Sequence, residues 1–299
     1  MPDIDWQFTL LLITNGVMIG LMYALIALGF VLVYKATDAI NFAAGEFVMF
    51  AGFIAAFAAD AAGAPVWVCA LIAIAGMAAF GFGLERVVLR PLIGRPVVAV
   101  IMATIGVAAL LRGFATLVFG AGTRNINLPV GDEPIELGPV SLPPVQLVGA
   151  AVSLAFLAAF TWFFLKSRTG IAMRAVADSQ QVAMAMGINV RRYFALAWAM
   201  AGIVSALGGV VWGAMIGVDN QLAVVGLTVF PVVILGGLDS VVGAVVGGII
   251  VGVVENLAAG YLDPYVGGGT KDFAPYILMI VALMIRPYGI FGRRLIERV

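Results

Sequence analysis

The residues best placed to do chemistry are the ionisable side chains that lie inside long apolar runs. They are Glu46, Arg112 and Glu255. A charge inside an apolar span is costly, so it usually faces a bundle interior or a water-filled path, where it can pair with another charge, gate a solute or carry a proton. For Glu46, and for Asn41 in the same Asn-Phe-Ala-Ala-Gly-Glu segment, two interpretations remain open: a structural bond, or a pathway or gating role.

The other two charges favour a structural interpretation. Arg112 lies nearer the outer end of its run and can extend its long side chain towards the interface, and Glu255 lies in the outer third of its own run. Glu46 is therefore the strongest candidate for a coupling acid. A gradient-coupled secondary transporter or channel that uses Glu46 stands as one functional hypothesis.

Other kinds of chemistry lack the residues that they need. The chain has no histidine and one cysteine, Cys69, so the usual soft-metal sites and nucleophile–base pairs are absent. It has no Gly-Lys dipeptide and hence no phosphate loop of the GxxxxGK[ST] type. We therefore expect no catalytic, metal or cofactor-binding residues and no enzyme activity. With a formal net charge of zero, nothing indicates a nucleic-acid partner.

The composition is typical of an integral membrane protein. Of its 299 residues, 63% are apolar and 11% are charged, too few to cover a soluble surface. Because a helix needs about 20 residues to cross the hydrocarbon core, the pattern predicts an all-α polytopic bundle of about nine spans (range eight to ten), organised as a single transmembrane domain over 1–299. The apolar runs are 8–34, 41–59, 65–85, 97–119, 145–165, 194–217, 222–238, 241–261 and 273–288.

Two of these runs are poor candidates for complete membrane-spanning helices. The run 222–238 is short and contains Pro231, and the run 41–59 is also short. Either can be a re-entrant or discontinuous helix, which membranes tolerate only where the helix is buried in protein or lines a cavity. The first run, 8–34, has no basic residues before it, so we expect a retained span rather than a cleaved signal.

Charge distribution predicts the orientation, since cytoplasmic connections are rich in Lys and Arg. It places the N-terminus outside and the C-terminus inside, with an external loop at 120–144 that contains five prolines and is expected to be extended. The cytoplasmic assignments rest on Arg86, Arg90 and Arg95, on the loop 166–193, and on Arg286, Arg293, Arg294 and Arg298. The external assignments rest on Asp132, Glu133 and Glu136 and on Glu255, Asp263 and Asp272.

Glycines spaced by four form small-residue stripes. In lipid, such stripes let helix backbones approach closely. Ordinary packing within the chain explains them, and a subunit interface or a sliding surface is the alternative. The helix-packing candidates are Gly209, Gly213, Gly217, Gly243 and Gly247, with further pairs at Gly16/Gly20 and Gly248/Gly252.

The stretch 166–192 is the longest polar-rich run and holds five of the 16 basic residues. Within it, 178–187 is predicted to form a short helix of about eight residues. Asp178 is the expected N-cap, with Gln181 at the third position reaching back towards it. Gly187 is the expected left-handed C-cap, followed by the apolar Ile188.

A helix this short is not stable alone in water, so it must pack against something. Val182 and Met186 lie four apart on one face. The helix can lie on the lipid interface or on its own bundle, or it can dock in a groove of a cytoplasmic partner. The residues alone leave both alternatives open.

Several segments together resemble the permease subunits of ABC importers for branched-chain amino acids, specifically the smaller of the two paired permeases. The resemblance covers nearly the whole chain. It is carried by GLMYALIALGFVLVYKATDAINFAAGEFVMFAGF (20–53), ERVVLRPL (85–92), TGIAMRAVADSQQVAMAMGINVRR (169–192), FPVVILGGLDSVVGAVVGGIIVGVVE (230–255) and RPYGIFG (286–292).

The resemblance implies a multi-pass subunit of an importer in the bacterial inner membrane. The implied partners are two ABC ATPase subunits, a second homologous permease in a heterodimer, an extracytoplasmic substrate-binding protein and the lipid bilayer. The implied solutes are branched-chain amino acids or related molecules such as urea, short amides and aromatic acids.

The resemblance also implies site residues. The short helix becomes the coupling helix that docks on the ATPase. Asn41 and Glu46 fall on the NFAxGE motif, which leaves both the structural and the pathway or gating interpretation open. The coupling residues are Asp178, Gln181, Val182, Ala183, Met186, Gly187 and Ile188.

Overall fold

A computed structural model of the chain describes residues 5–93, 95–131, 133–138 and 140–292. The assignments made above for Asp132, Arg293, Arg294 and Arg298, and one of the five prolines, Pro139, lie outside these ranges. The helices are α1 (Trp6–Thr37), α2 (Ala44–Ala62), α3 (Val66–Leu84), α4 (Val97–Phe119), α5 (Pro144–Lys166), α6 (Arg168–Asp178), α7 (Gln180–Ala185), α8 (Val190–Ile216), α9 (Val225–Gly236), α10 (Val241–Val266) and α11 (Thr270–Ile285). Two strands, β1 (Ile135–Leu137) and β2 (Val140–Leu142), form an antiparallel hairpin in the predicted external loop.

The chain is a polytopic helical membrane protein, as predicted. Each of the nine apolar runs corresponds to a helix. In the described part of the chain seven helices are long and apolar enough to cross a membrane, namely α1, α2, α3 with its following turns, α4, α5, α8 and α10. Because α9 and α11 are shorter, at 12 and 16 residues, the count of nine spans stays a prediction. The orientation of the termini also stays a prediction.

The chain divides into two compact units. The first contains Met1–Ala27, Pro129–Leu154 and Leu227–Val299, and the second contains Leu28–Leu128 and Ala155–Gly226. The helices α1 and α5 each contribute residues to both units. The single-domain organisation expected from the sequence stays a prediction.

Backbone contacts at glycines hold the second unit together. A methyl group added at Gly81 would collide with the carbonyl of Trp198, and one added at Gly202 would collide with the carbonyl of Met77. These contacts join α3 to α8 in antiparallel orientation, with the fully buried Trp198 beside Phe47 of α2. Side chains larger than hydrogen at these glycines would force the helices apart.

The predicted packing glycines lie at similar contacts. Gly209 of α8 lies against the Val48 carbonyl, and Gly213 lies against the Val218 side chain. Gly217, which follows α8 with φ of +84°, lies against Thr123. In the first unit, Gly243 and Gly247 of α10 lie against the carbonyls of Gly236 and Val232 in α9.

In the first unit, α1 and α10 cross in antiparallel orientation at a second set of glycines. A methyl group on Gly16 would lie 2.6 Å from the Val253 Cα atom, and one on Gly20 would lie 2.5 Å from the Gly248 carbonyl oxygen. Neither neighbouring atom belongs to a flexible side chain. The contact can therefore accommodate only glycine.

Replacing Gly20 by alanine should destabilise the protein, because its new methyl group meets rigid backbone. We expect a loss of about 1–3 kcal/mol in unfolding free energy, typical of overpacking. The measurement is thermal or denaturant unfolding of the purified protein in detergent.

Gly106→Ala in α4 is the matched control. Gly106 has no neighbour within 4 Å. Alanine should therefore leave stability unchanged or raise it by up to about 1 kcal/mol through helix propensity. Equal stability of the two variants would contradict the close-packing argument.

Candidate functional site

The predicted short helix exists but begins one residue later than expected. Asp178 is the last residue of α6 and does not cap the next helix. Ser179 has an extended backbone and its side chain accepts a 3.3 Å hydrogen bond from the Val182 amide. The N-cap prediction for Asp178 is therefore wrong, because the extended backbone that an N-cap needs occurs at Ser179. Gln181 becomes the second residue of α7, so the expected capping box does not form.

The two helices of this segment differ from the single helix predicted. The first, α6, was missed, although Ser167 is a clear N-cap whose side chain accepts from the Gly170 amide at 2.9 Å. The second, α7, has six residues instead of about eight. A serine followed by an apolar pattern was the signal that could have located both starts.

The end of α7 is a Schellman turn. Gly187 has φ of +80°, a conformation that glycine adopts without steric cost. Its amide donates to the Met184 carbonyl at 3.0 Å, and the Ile188 amide donates to the Ala183 carbonyl at 2.9 Å. These two bonds satisfy carbonyls that would otherwise lack partners at the helix end.

One residue of α7 packs on the chain, and three apolar side chains of the same segment are exposed. Ala183 is buried, and α7 contacts both α6 and α8. Val182, Met184 and Met186 are 62%, 56% and 77% exposed. We call these three side chains the α7 surface. Met184 was not singled out from the sequence.

The segment around Asn41 is an ordered start for α2. The Asn41 side chain is buried and accepts a 3.0 Å hydrogen bond from the Ala43 amide. The Phe42 amide donates to the Thr104 hydroxyl of α4 at 3.3 Å. The Asn41 side chain therefore accepts a hydrogen bond from a backbone amide that has no acceptor within α2.

Glu46 lies in the first turn of α2 and forms an ion pair with Arg112 of α4. Glu46 is 5% exposed, and its Oε1 atom lies 2.6 Å from the Arg112 Nη2 atom. The positive end of the helix dipole also favours a carboxylate at this position. Arg112 reaches this acid instead of extending to the end of its helix, yet 54% of its side chain remains accessible.

This ion pair lies near the middle of α4. Contacts at Phe42–Thr104, Glu46–Arg112 and Asp60–Arg124 have sequence offsets of 62, 66 and 64, so α2 and α4 run parallel. Ala44, the first residue of α2, is thus level with about residue 108 of α4. At 1.5 Å per residue that point lies roughly 16 Å from Val97, where α4 begins.

A short 3₁₀ helix also packs against the start of α2. Gly45 lies against the Ala223 carbonyl and the Gly226 Cα atom, at the junction of the short 3₁₀ helix Asn220–Val224 with α9. The 3₁₀ helix and the late-starting α2, both of the second unit, thus meet beside the ion pair. Discontinuous helices of this kind form solute sites in many transporters.

Glu255 occupies a different place, in the first unit. It is 2% exposed, accepts a 3.2 Å hydrogen bond from the Tyr23 hydroxyl, and lies 3.5 Å from the Lys271 ammonium. These bonds join α10 to α1 and α11. They agree with the structural interpretation that we favoured for Glu255.

Removing one partner of the Glu46–Arg112 pair should destabilise the protein, most strongly when the acid is left behind. Arg112→Gln leaves a buried carboxylate without a partner. Its cost should lie near the lower end of the roughly 3–5 kcal/mol for breaking a buried pair, because Arg112 is partly exposed. Glu46→Gln should cost less. The measurement is the unfolding free energy of each variant in detergent.

The double variant Glu46→Gln/Arg112→Gln is the control. It removes both charges, so most of the loss caused by Arg112→Gln alone should be recovered. If the two single losses simply add in the double variant, the two side chains do not stabilise the fold as a pair.

Comparison with known proteins agrees with the resemblance found in the motifs. Residues 12–283 match the family described as "Branched-chain amino acid transport system / permease component". The high-affinity branched-chain amino acid transport system permease protein LivH of Salmonella typhimurium is 32% identical, over 95% of this chain and 96% of its own length. The corresponding permease protein BraD of Pseudomonas aeruginosa is 31% identical, over 96% and 97%.

Two more distant similarities extend the comparison. A probable branched-chain amino acid transport permease protein LivH of Methanocaldococcus jannaschii is 26% identical, over 94% of this chain and 92% of its own length. The solved structure of PsaBC from Streptococcus pneumoniae in complex with Fab aligns with a TM-score of 0.50 and 14% identity, over 93% of each chain. That structural similarity supports the fold alone. The family match and the identities above 30% show that this chain belongs to the branched-chain amino acid transport permease family.

Proposed function

We propose that this chain is the membrane-spanning translocation subunit of an ATP-driven importer for branched-chain amino acids or related small solutes. Its partners in this proposal are two ABC ATPase subunits, a second homologous permease and an extracytoplasmic substrate-binding protein, in the bacterial inner membrane. The chain itself carries no catalytic step. Relatives named as branched-chain amino acid permeases support the solute class.

The observation that carries the proposal is the α7 surface. A six-residue helix with caps at both ends is held by its own chain at Ala183 and leaves three apolar side chains exposed, of which Val182 and Met186 share one face. Such a rigid, partly apolar projection between two spans suits a groove of a partner protein. In this mechanism, ATP closes the ATPase dimer, the docked helix moves with it, and the spans switch between outward-open and inward-open.

We assign a pathway role to the site formed by Asn41, Glu46 and Arg112. The accessible part of Arg112 lies level with the interior of a membrane-spanning helix, where contact with hydrocarbon would be costly. Water or a polar solute on this side of α4 removes that cost. The accessible guanidinium can then bind the carboxylate of a passing amino acid.

The gradient-coupled alternative is less favoured. A coupling acid must exchange its proton with water, whereas Glu46 is buried and ion-paired with Arg112.

Placing a charge on the α7 surface should uncouple ATP hydrolysis from transport. In the complete complex in proteoliposomes, Met186→Arg should abolish solute-stimulated ATPase activity and uptake, since an apolar groove would not accept a guanidinium. Met186→Leu keeps the apolar contact and should retain both activities. Wild-type coupling in the Met186→Arg complex would rule out the docking role. Ala183→Arg is a poor substitute, because Ala183 is buried within its own chain.

The energy source separates the two functional hypotheses. Uptake by the complex should require ATP inside the vesicles and should persist when a proton ionophore removes the pH gradient. The chain without its partner subunits should neither transport nor hydrolyse ATP. Uphill uptake by the isolated chain, abolished by the ionophore and by Glu46→Gln, would favour the secondary transporter instead.

A further inference from the structure

The second unit contains a cavity of about 110 Å³ at the end where α7 lies. It opens to solvent and is lined by the end of α1, the π-helical and 3₁₀ turns Glu85–Leu89 and Arg90–Leu92 that follow α3, the start of α4, the first residue of α7 and the start of α8. Pockets for drug-sized molecules usually measure about 300–1,000 Å³. This cavity therefore suits only a small metabolite.

One acidic and one basic side chain line the cavity, and they do not form an ion pair with each other. Asp38 follows α1, and Arg95 lies just before α4. Among the described residues, no ion pair or side-chain hydrogen bond holds either one, whereas the nearby Glu85 carboxylate is bonded to Arg90 at 2.9 and 3.3 Å. Partial burial raises the pKa of the Asp38 carboxyl. Both side chains remain exposed to solvent, so a small polar ligand can reach them.

The rest of the lining is mostly apolar, and its other polar groups are the Thr37 hydroxyl, the Glu85 carboxylate and the Gln180 amide. Ile93, Val97, Val100 and Trp198 contribute aliphatic and aromatic surface, and Gln180 contributes the amide. A carboxylate, a guanidinium and an aliphatic wall around a small volume match the three parts of one ligand class. That class is the zwitterion of a neutral α-amino acid with a small branched side chain.

We propose that this cavity is a binding site for such an amino acid, separate from the Glu46–Arg112 site, and that its occupancy slows transport. Arg95 binds the ligand carboxylate, Asp38 binds the ammonium group, and the aliphatic wall takes the side chain. Since Gln180 is the first residue of α7, a bound ligand contacts the helix that we propose to dock on the ATPase. This inference rests on the proposed function, because the ligand is then the imported solute on the side where it is released.

The first test is equilibrium dialysis with radiolabelled leucine. It uses the purified complex of both permeases and ATPases in detergent, without the binding protein. Arg95→Gln and Asp38→Asn should each weaken binding about tenfold or more, since each removes a charge-assisted hydrogen bond. Arg86→Gln is the matched control, because Arg86 lies in the same connection but does not line the cavity. Ile93→Trp fills the cavity from an exposed position and should block binding with both charges intact.

Two ligand analogues and one further variant sharpen the result. Leucinamide lacks the carboxylate and 4-methylpentanoate lacks the ammonium group, so both should bind about tenfold or more weakly than leucine. If either binds as tightly as leucine, the zwitterion assignment is wrong. In an Arg112→Gln background, adding Arg95→Gln should still weaken leucine binding about tenfold or more. If Arg112→Gln alone removes all leucine binding, the leucine lies in the Glu46–Arg112 site and the proposal is overturned.

The second test measures regulation. Uptake into proteoliposomes that contain ATP should slow when the lumen also holds leucine, and Arg95→Gln should transport at the wild-type rate while resisting that inhibition. Equal inhibition of Arg95→Gln and wild type would overturn the regulatory site and leave the importer function standing. Absence of any ATP-dependent uptake by the wild-type complex would instead overturn the proposed function itself.

Discussion

The close approach of helix backbones at glycine is the interaction on which the other features of this protein depend. In hydrocarbon, the hydrophobic effect does not drive helices together, so packing contacts must hold them. Gly81 and Gly202 allow α3 to touch α8, and Gly16 and Gly20 allow α1 to touch α10. With backbones at this distance, neighbouring helices cannot slide by a turn without collision. The positions of the buried charges follow from this rigid packing.

The Glu46 site shows how packing and charge combine. Gly45 lets the 3₁₀ helix before α9 approach the start of α2, and Asn41 satisfies the backbone that this start leaves open. A carboxylate in the first turn of a helix that begins level with the middle of α4 then has a helix dipole and one guanidinium as its partners. The result is a buried acid with a partly accessible arginine beside it.

The segment between α5 and α8 has a different construction. Its helices are short, and serine, glycine and one buried alanine hold them in place. Because caps rather than length stabilise α7, the helix keeps its shape while three apolar side chains remain available to a partner. The cavity lined by Gln180 adjoins the same helix. In the two proposals made above, solute sensing and force transmission share this one element.

The sequence by itself determined the class of protein, the helical content, the approximate bounds of the nine apolar helices and the family, because apolar runs and motifs are local properties of the chain. Gly187 could be placed as a helix end for the same reason. The tertiary structure alone decided that Arg112 meets Glu46, that Ser179 rather than Asp178 caps α7, and that Asp38 and Arg95 line one cavity. Residues tens of positions apart meet only when helix register is set, and register depends on backbone contacts that no single segment encodes.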